Sequence, residues 1–175
     1  MADDEFAAFF DRDFDRLVGF FCKSGFDREI ARDAAAETMT ELLRQWSEVT
    51  APKAWVRTVG SRIASRLVME GPRSVQAAIV GCRSTTDRAD DQPHAVVEEQ
   101  DVVAELLRQL PDVQRVVMAW RLDGFDPAEI AAITESSPTT VRSNLRHARE
   151  RMKQLRDAQE AEQTPDTTTP RRRTQ

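Results

Sequence analysis

The side chains with the clearest chemical potential lie in SSPTTVRSNLRHARERMK, residues 137–154. Val141, Leu145, Ala148, Met152 and Leu155 recur at four- and three-residue steps, which specifies a helix with one apolar stripe. Turned away from that stripe are Thr139, Thr140, Arg142, Ser143, Arg146, His147 and Arg149. Ser137 followed by Pro138 is a capping residue and a first-turn proline, so the helix N-terminus falls at the same end. That end offers unpaired N–H groups and partial positive charge to an anion. Hydroxyls there can reach phosphate oxygens, and Arg142 and Arg146 are long enough to meet guanine edges with paired donors. An exposed basic helix facing only water is the plainer reading of the same residues.

The elements that must position these groups follow from the rest of the chain. Asp126-Pro127 repeats the cap device and opens a shorter helix, about 127–133, with a turn near 134–137 before the basic one. Two helices joined this way have the helix-turn-helix layout. Before them, Val102, Val103, Leu106 and Leu107 mark an amphipathic helix over 97–109. Val113, Val116, Val117 and Trp120 mark another that ends at Gly124. In the first half, Phe6, Phe9, Phe10, Phe14, Leu17, Val18 and Phe21 predict a helix over 4–23. Ile30, Ala34, Met39, Leu42, Leu43 and Trp46 predict one over 28–46. A third, about 53–69, follows Pro52, with Trp55, Val56, Val59, Ile63, Leu67 and Val68 as its apolar set. The expectation is an all-α fold of two small helical domains, residues 1–70 and 97–156. A flexible linker over 71–96, rich in Gly, Pro, Ser, Thr and Asp, joins them, and a disordered tail spans 157–175.

Charge is segregated along this plan. The 175 residues carry a net charge of −5, yet residues 51–83 hold six basic against one acidic residue, and so do residues 137–156. Two basic segments on an acidic chain say more about partners than the mean does. Asp33, Glu37 and Glu41 form an acidic edge at four-residue spacing on the second helix, ordinarily a solvated face. Cys22 and Cys82 have no metal or redox spacing, and His94 stands alone in the linker. No Ser/His/Asp set, metal cluster or phosphate loop is present, so neither an enzyme nor a metal or cofactor is expected. The acidic N-terminus and the lack of a long apolar run predict a cytoplasmic protein with no membrane partner.

LRQLPDVQRVVMAWRLDG followed by FDPAEIAAITESSPTTVRSNLRHARERMK resembles region 4 of sigma-70-type transcription initiation factors, the domain that reads the promoter −35 element. FAAFFDRDFDRLVGFFCKSGFDREIARDAAAETMTELLRQW and PKAWVRTVGSRIASRL resemble region 2 of the same family. The ordered pair, with a short linker between, is similar to the compact extracytoplasmic-function group, and covers roughly residues 5–156.

The resemblance implies partners and roles. Core RNA polymerase is engaged through the β′ clamp helices and the β flap, with Asp33, Glu37, Leu42 and Gln45 as candidate docking residues. Lys53, Arg57, Thr58, Ser61, Arg62 and Ser65 are candidates for the −10 element. Ser137, Thr139, Thr140, Arg142, Ser143, Arg146, His147 and Arg149 are candidates for the −35 element. Promoter DNA is the ligand, and an anti-sigma factor is a further candidate partner. Trp55 fits the core better than a base-stacking platform.

The chain departs from the family pattern in several places. Glu135 and Ser136 stand where relatives carry Gly and an aliphatic residue, Ala36 replaces a common Gln, Met69-Glu70 replace a basic pair, and Asn144 replaces a basic residue. A stand-alone helix-turn-helix regulator and a polymerase-binding relative that reads no promoter are the alternatives.

Overall fold

The computed structural model describes residues 2–70 and 103–163. The expected linker, Cys82, His94 and the tail from 164 onward lie outside the described residues. Six helices can be bounded: α1 Ala2–Ser24, α2 Arg28–Arg44, α3 Pro52–Glu70, α4 Asp112–Leu122, α5 Pro127–Ile133 and α6 Pro138–Gln163. A helical stretch at 103–108 precedes α4, and no strand occurs among the described residues. The all-α, two-unit expectation holds. The last helix runs past residue 156, because KQLRDAQEAEQ is built of strong helix formers with no glycine or proline to stop it.

In the first unit α1, α2 and α3 pack on one another. Leu17, Phe21, Ala31, Ala34, Ala35, Met39, Leu42 and Val56 are removed from water there. Each fully buried large side chain contributes about 1.5–3 kcal/mol. Gly60 sets how closely α3 approaches. A Cβ at that position would lie 2.7 Å from Thr38 Oγ1 and would also strike the ring of Phe21. Trp55 is partly buried against the core, as expected.

In the second unit α4 and α5 pack under α6, around Val117, Met118, Ile130, Val141, Leu145 and Ala148. Gly124, at φ +99°, takes the left-handed position after α4, and the Phe125 N–H closes the end on the Trp120 carbonyl at 3.2 Å.

The two units also pack directly, through α1 and α4. Phe20 of α1 meets Trp120 of α4 edge to face at 4.9 Å, and Trp120 meets Phe125 at 4.9 Å. Helix α1 therefore carries two apolar faces, one for its own unit and one for the other.

Candidate nucleic-acid interface

The basic helix is presented as the spacing requires. Val141, Leu145 and Ala148 are buried and Met152 is half-buried, while Ser137, Thr139, Thr140, Arg142, Arg146, His147 and Arg149 are exposed and Ser143 is half-buried. Ser137 caps α6: its Oγ accepts the Thr140 N–H at 3.0 Å and lies 2.8 Å from the Thr140 hydroxyl. Arg146 Nη2 stands 3.2 Å from His147 Nε2. Arg142 and Arg149 make no ion pair with an acidic side chain among the described residues, so their charge is open to an outside anion.

The turn before this helix resolves the departure at Glu135. Glu135 adopts φ +52°, the left-handed conformation that glycine takes at low cost, and the Ser136 N–H bonds back to the Ala131 carbonyl at 3.0 Å. The turn keeps the geometry a glycine would give it, at about 1 kcal/mol of backbone strain. Replacing Glu135 with Gly is expected to stabilise the protein by about 1 kcal/mol, raising Tm by about 2–4 °C in a calorimetric scan. An unchanged or lower Tm would contradict this account of the turn.

Helix α5 is fixed by a reciprocal cap. Asp126 Oδ1 accepts the N–H groups of Ala128 at 2.7 Å and Glu129 at 2.9 Å, and Glu129 Oε2 accepts the Asp126 N–H at 2.7 Å. The Glu129 and Ala128 N–H groups, with a smaller pull from Arg121, hold the Asp126 carboxyl below the usual carboxylate range. A lowered native pKa means stability that is present above the unfolded value and is lost as pH falls through the native one. Asp126→Asn keeps a good cap without the titration. Its urea midpoint should therefore fall less than the wild type's between pH 7 and pH 3.

Helix α3 presents far less than its composition promises. Arg57, expected at the −10 element, is 0% exposed and paired within the fold. Its Nη2 donates to Asp123 Oδ1 at 3.0 Å, its Nε makes a close ionic contact of 2.5 Å with Asp123 Oδ2, and Asp13 Oδ1 lies 3.6 Å away. Lys53 donates to the Asp123 carbonyl at 2.6 Å and stands 3.5 Å from its carboxylate. The hydroxyls of Thr58, Ser61 and Ser65 donate to the carbonyls of Ala54, Arg57 and Ser61, so their protons are already committed. Arg62 is the candidate on α3 that is exposed with no acidic partner among the described residues.

On α2 the expected docking set is divided. Asp33 and Glu37 are exposed, and Glu37 pairs with Arg66 of α3. Gln45 donates to Glu41 at 2.6 Å. Leu42 is 0% exposed and packs in the core, so it offers no docking surface, whereas its neighbour Leu43 is 49% exposed.

Asp13 and Asp123 were not singled out from the sequence, although each leaves a signal. Asp13 falls between Phe9 and Leu17 on the apolar stripe of α1. Asp123 stands at a helix C-terminus, where negative charge opposes the dipole. Both placements demand a nearby cation.

Residues 100–152 match the family described as Sigma-70, region 4. The chain is similar to CnrH, solved in complex with the cytosolic domain of CnrY, with a TM-score of 0.62 and 19% identity over 89% of this chain and 90% of that one. It is also similar to the sigma factor RpoE, in complex with the anti-sigma factor NepR, from Bartonella quintana. That match has a TM-score of 0.69 and 20% identity over 87% of this chain and 97% of that one. At such identities the structural likeness shows the fold; no curated protein matches the sequence. Residues 100–152 thus carry a Sigma-70 region 4 sequence, in a chain whose helical fold is similar to those of CnrH and RpoE.

Proposed function

We propose that this chain is a sigma factor of the extracytoplasmic-function group, which docks on core RNA polymerase through the exposed acidic edge of α2, engages the −10 element with α3 and reads the −35 element with the exposed face of α6. The observation that carries the reading is that face. Arg142, Arg146, His147 and Arg149 stand in solvent beside a capped helix N-terminus, within a region 4 sequence. Arg142 and Arg146 would meet base edges while Thr139, Ser143 and Arg149 meet phosphates. On α2, Asp33, Glu37 and Leu43 would face the β′ clamp helices, with the β flap holding the second unit. Polymerase supplies the covalent chemistry, so the chain acts as a cytoplasmic, non-catalytic initiation factor. No helix among the described residues is long and apolar enough to cross a membrane. An anti-sigma factor is proposed as a second partner, since the RpoE structure holds one.

Reconstitution with sigma-free core polymerase on genomic promoter fragments tests the reading. Specific run-off transcripts support it. Operator binding without polymerase would instead indicate a stand-alone regulator, and polymerase binding without initiation a relative that has lost promoter reading.

A further inference from the structure

We propose that His147 is a positioning residue for base reading. Its neutral ring holds the Arg146 guanidinium across the outer face of α6, and protonation of the ring releases it, so selectivity at the base pair that Arg146 meets falls with pH. The proposal rests on the assignment of α6 to the −35 element.

Three observations carry it. First, the contact has only one possible direction. Arg146 Nη2 stands 3.2 Å from His147 Nε2. A guanidinium stays protonated in proteins and has no acceptor, so Arg146 donates and Nε2 accepts. That bond exists only while Nε2 carries a lone pair, with the ring proton on Nδ1. A second proton turns the acceptor into a donor and sets two cations side by side.

Second, Arg146 is singled out on this helix. Arg142, Arg149 and Arg151 are exposed and have no side-chain partner among the described residues. Those three keep their rotamer freedom until DNA removes it. Arg146 is already restrained. Neighbouring residues on a helix stand about 100° apart, so reaching His147 lays the guanidinium across the solvent face rather than along one flank. Restraint before binding favours a paired-donor contact to one base edge, because less freedom is lost on forming it.

Third, no other described group holds the ring. Helices α4 and α5 pack on α6 and cover its apolar stripe. Their charged side chains are engaged elsewhere: Asp112 with Arg115, Arg121 with the Phe125 carbonyl and Glu129 with the Asp126 N–H. On α6 itself, Glu150 and Arg151 stand one turn beyond His147, exposed and not bonded to it. The ring therefore exchanges protons with solvent, and imidazole is the side chain whose charge ordinarily changes between about pH 5 and 8.

Affinity and selectivity then move in opposite directions. Acid adds one positive charge to a face that meets phosphates, which raises binding to any sequence. The same proton frees Arg146, which lowers discrimination at its base pair.

The test uses the full chain with core polymerase and genomic promoter fragments whose −35 segment is randomised, captured at pH 8.0 and at pH 6.0 and sequenced. Arg146→Ala marks the position this side chain reads, as the one whose preference it erases. In the wild type that preference should fall about three-fold at pH 6.0, the scale of one net hydrogen bond. His147→Gln offers an amide oxygen as acceptor and has no charge to gain, so it should keep the preference at both pH values. His147→Ala should show a weak preference at both. The ring is exposed, so these variants leave the core untouched. A wild-type preference that ignores pH overturns the proposal, as does one that His147→Ala retains in full. An equal loss with acid in His147→Gln also overturns it, because the titrating group then lies elsewhere. In each of these cases the position erased by Arg146→Ala still stands, and so does the assignment of α6. If Arg146→Ala erases no position at either pH, α6 does not read the −35 element and the proposal falls with that assignment.

Discussion

Arg57→Ala is expected to destabilise the protein by about 3–5 kcal/mol, the largest loss for any single polar substitution here. Arg57 is fully buried, Asp13 is 3% exposed and Asp123 is 11% exposed, so removing the guanidinium leaves two carboxylates away from water with only the more exposed Arg12 and Lys53 as counterions. The loss comes from the poorly compensated buried carboxylates more than from any net strength of the ion pairs. Replacing the whole cluster separates the two contributions. Asp13→Leu, Arg57→Met and Asp123→Leu together leave no buried charge and should recover most of the stability. Urea denaturation followed by the helical signal gives both numbers. A loss below about 1 kcal/mol for Arg57→Ala would mean that water reaches the cluster far better than its burial indicates.

The second large effect is on promoter reading. Arg142→Ala with Arg146→Ala is expected to reduce −35-dependent run-off transcription by roughly one and a half to four orders of magnitude, from about 1–3 kcal/mol for each of the two lost bidentate base contacts. Both side chains are exposed on α6, and the helix is anchored by Val141, Leu145 and Ala148 on its opposite side. Alanine is a good helix former, so the fold should stand. Arg151→Ala with Lys153→Ala removes the same charge about two turns later. That variant should lose a similar share of salt-dependent affinity while keeping its preference among −35 sequences. If the first pair retains full −35 discrimination, α6 does not read bases.

The reading surface of α6 was legible because periodicity and capping are local. The stripe, Ser137, Asp126 and the exposed arginines all follow from residues within one or two turns of each other. The contact between the units was not legible, since periodicity reports a face without naming what covers it. Phe20 lies next to Phe21, and the two point to different neighbours, one to Trp120 and the other into its own unit beside Phe26. Leu42 and Leu43 pose the same difficulty: adjacent residues sit 100° apart on a helix, and hydrophobicity alone does not say which is buried. Arg57 was placed outside because arginine is almost never fully buried unless paired, and its partner lies 66 residues away in the chain. The turn at Glu135 was the clearest departure from the family pattern, yet its backbone takes the left-handed conformation that a glycine adopts at low cost. Position in the helix-turn-helix set that conformation, and the side chain adapted to it.

The length of α6 has a practical consequence for construction. Its 26 residues span about 39 Å, and its core contacts end near Met152. A fluorescent or affinity module joined after Gln163 is therefore carried to the far end of a rigid rod from Pro138. Attachment there leaves the base-reading end clear, whereas a module placed before Pro127 would crowd it.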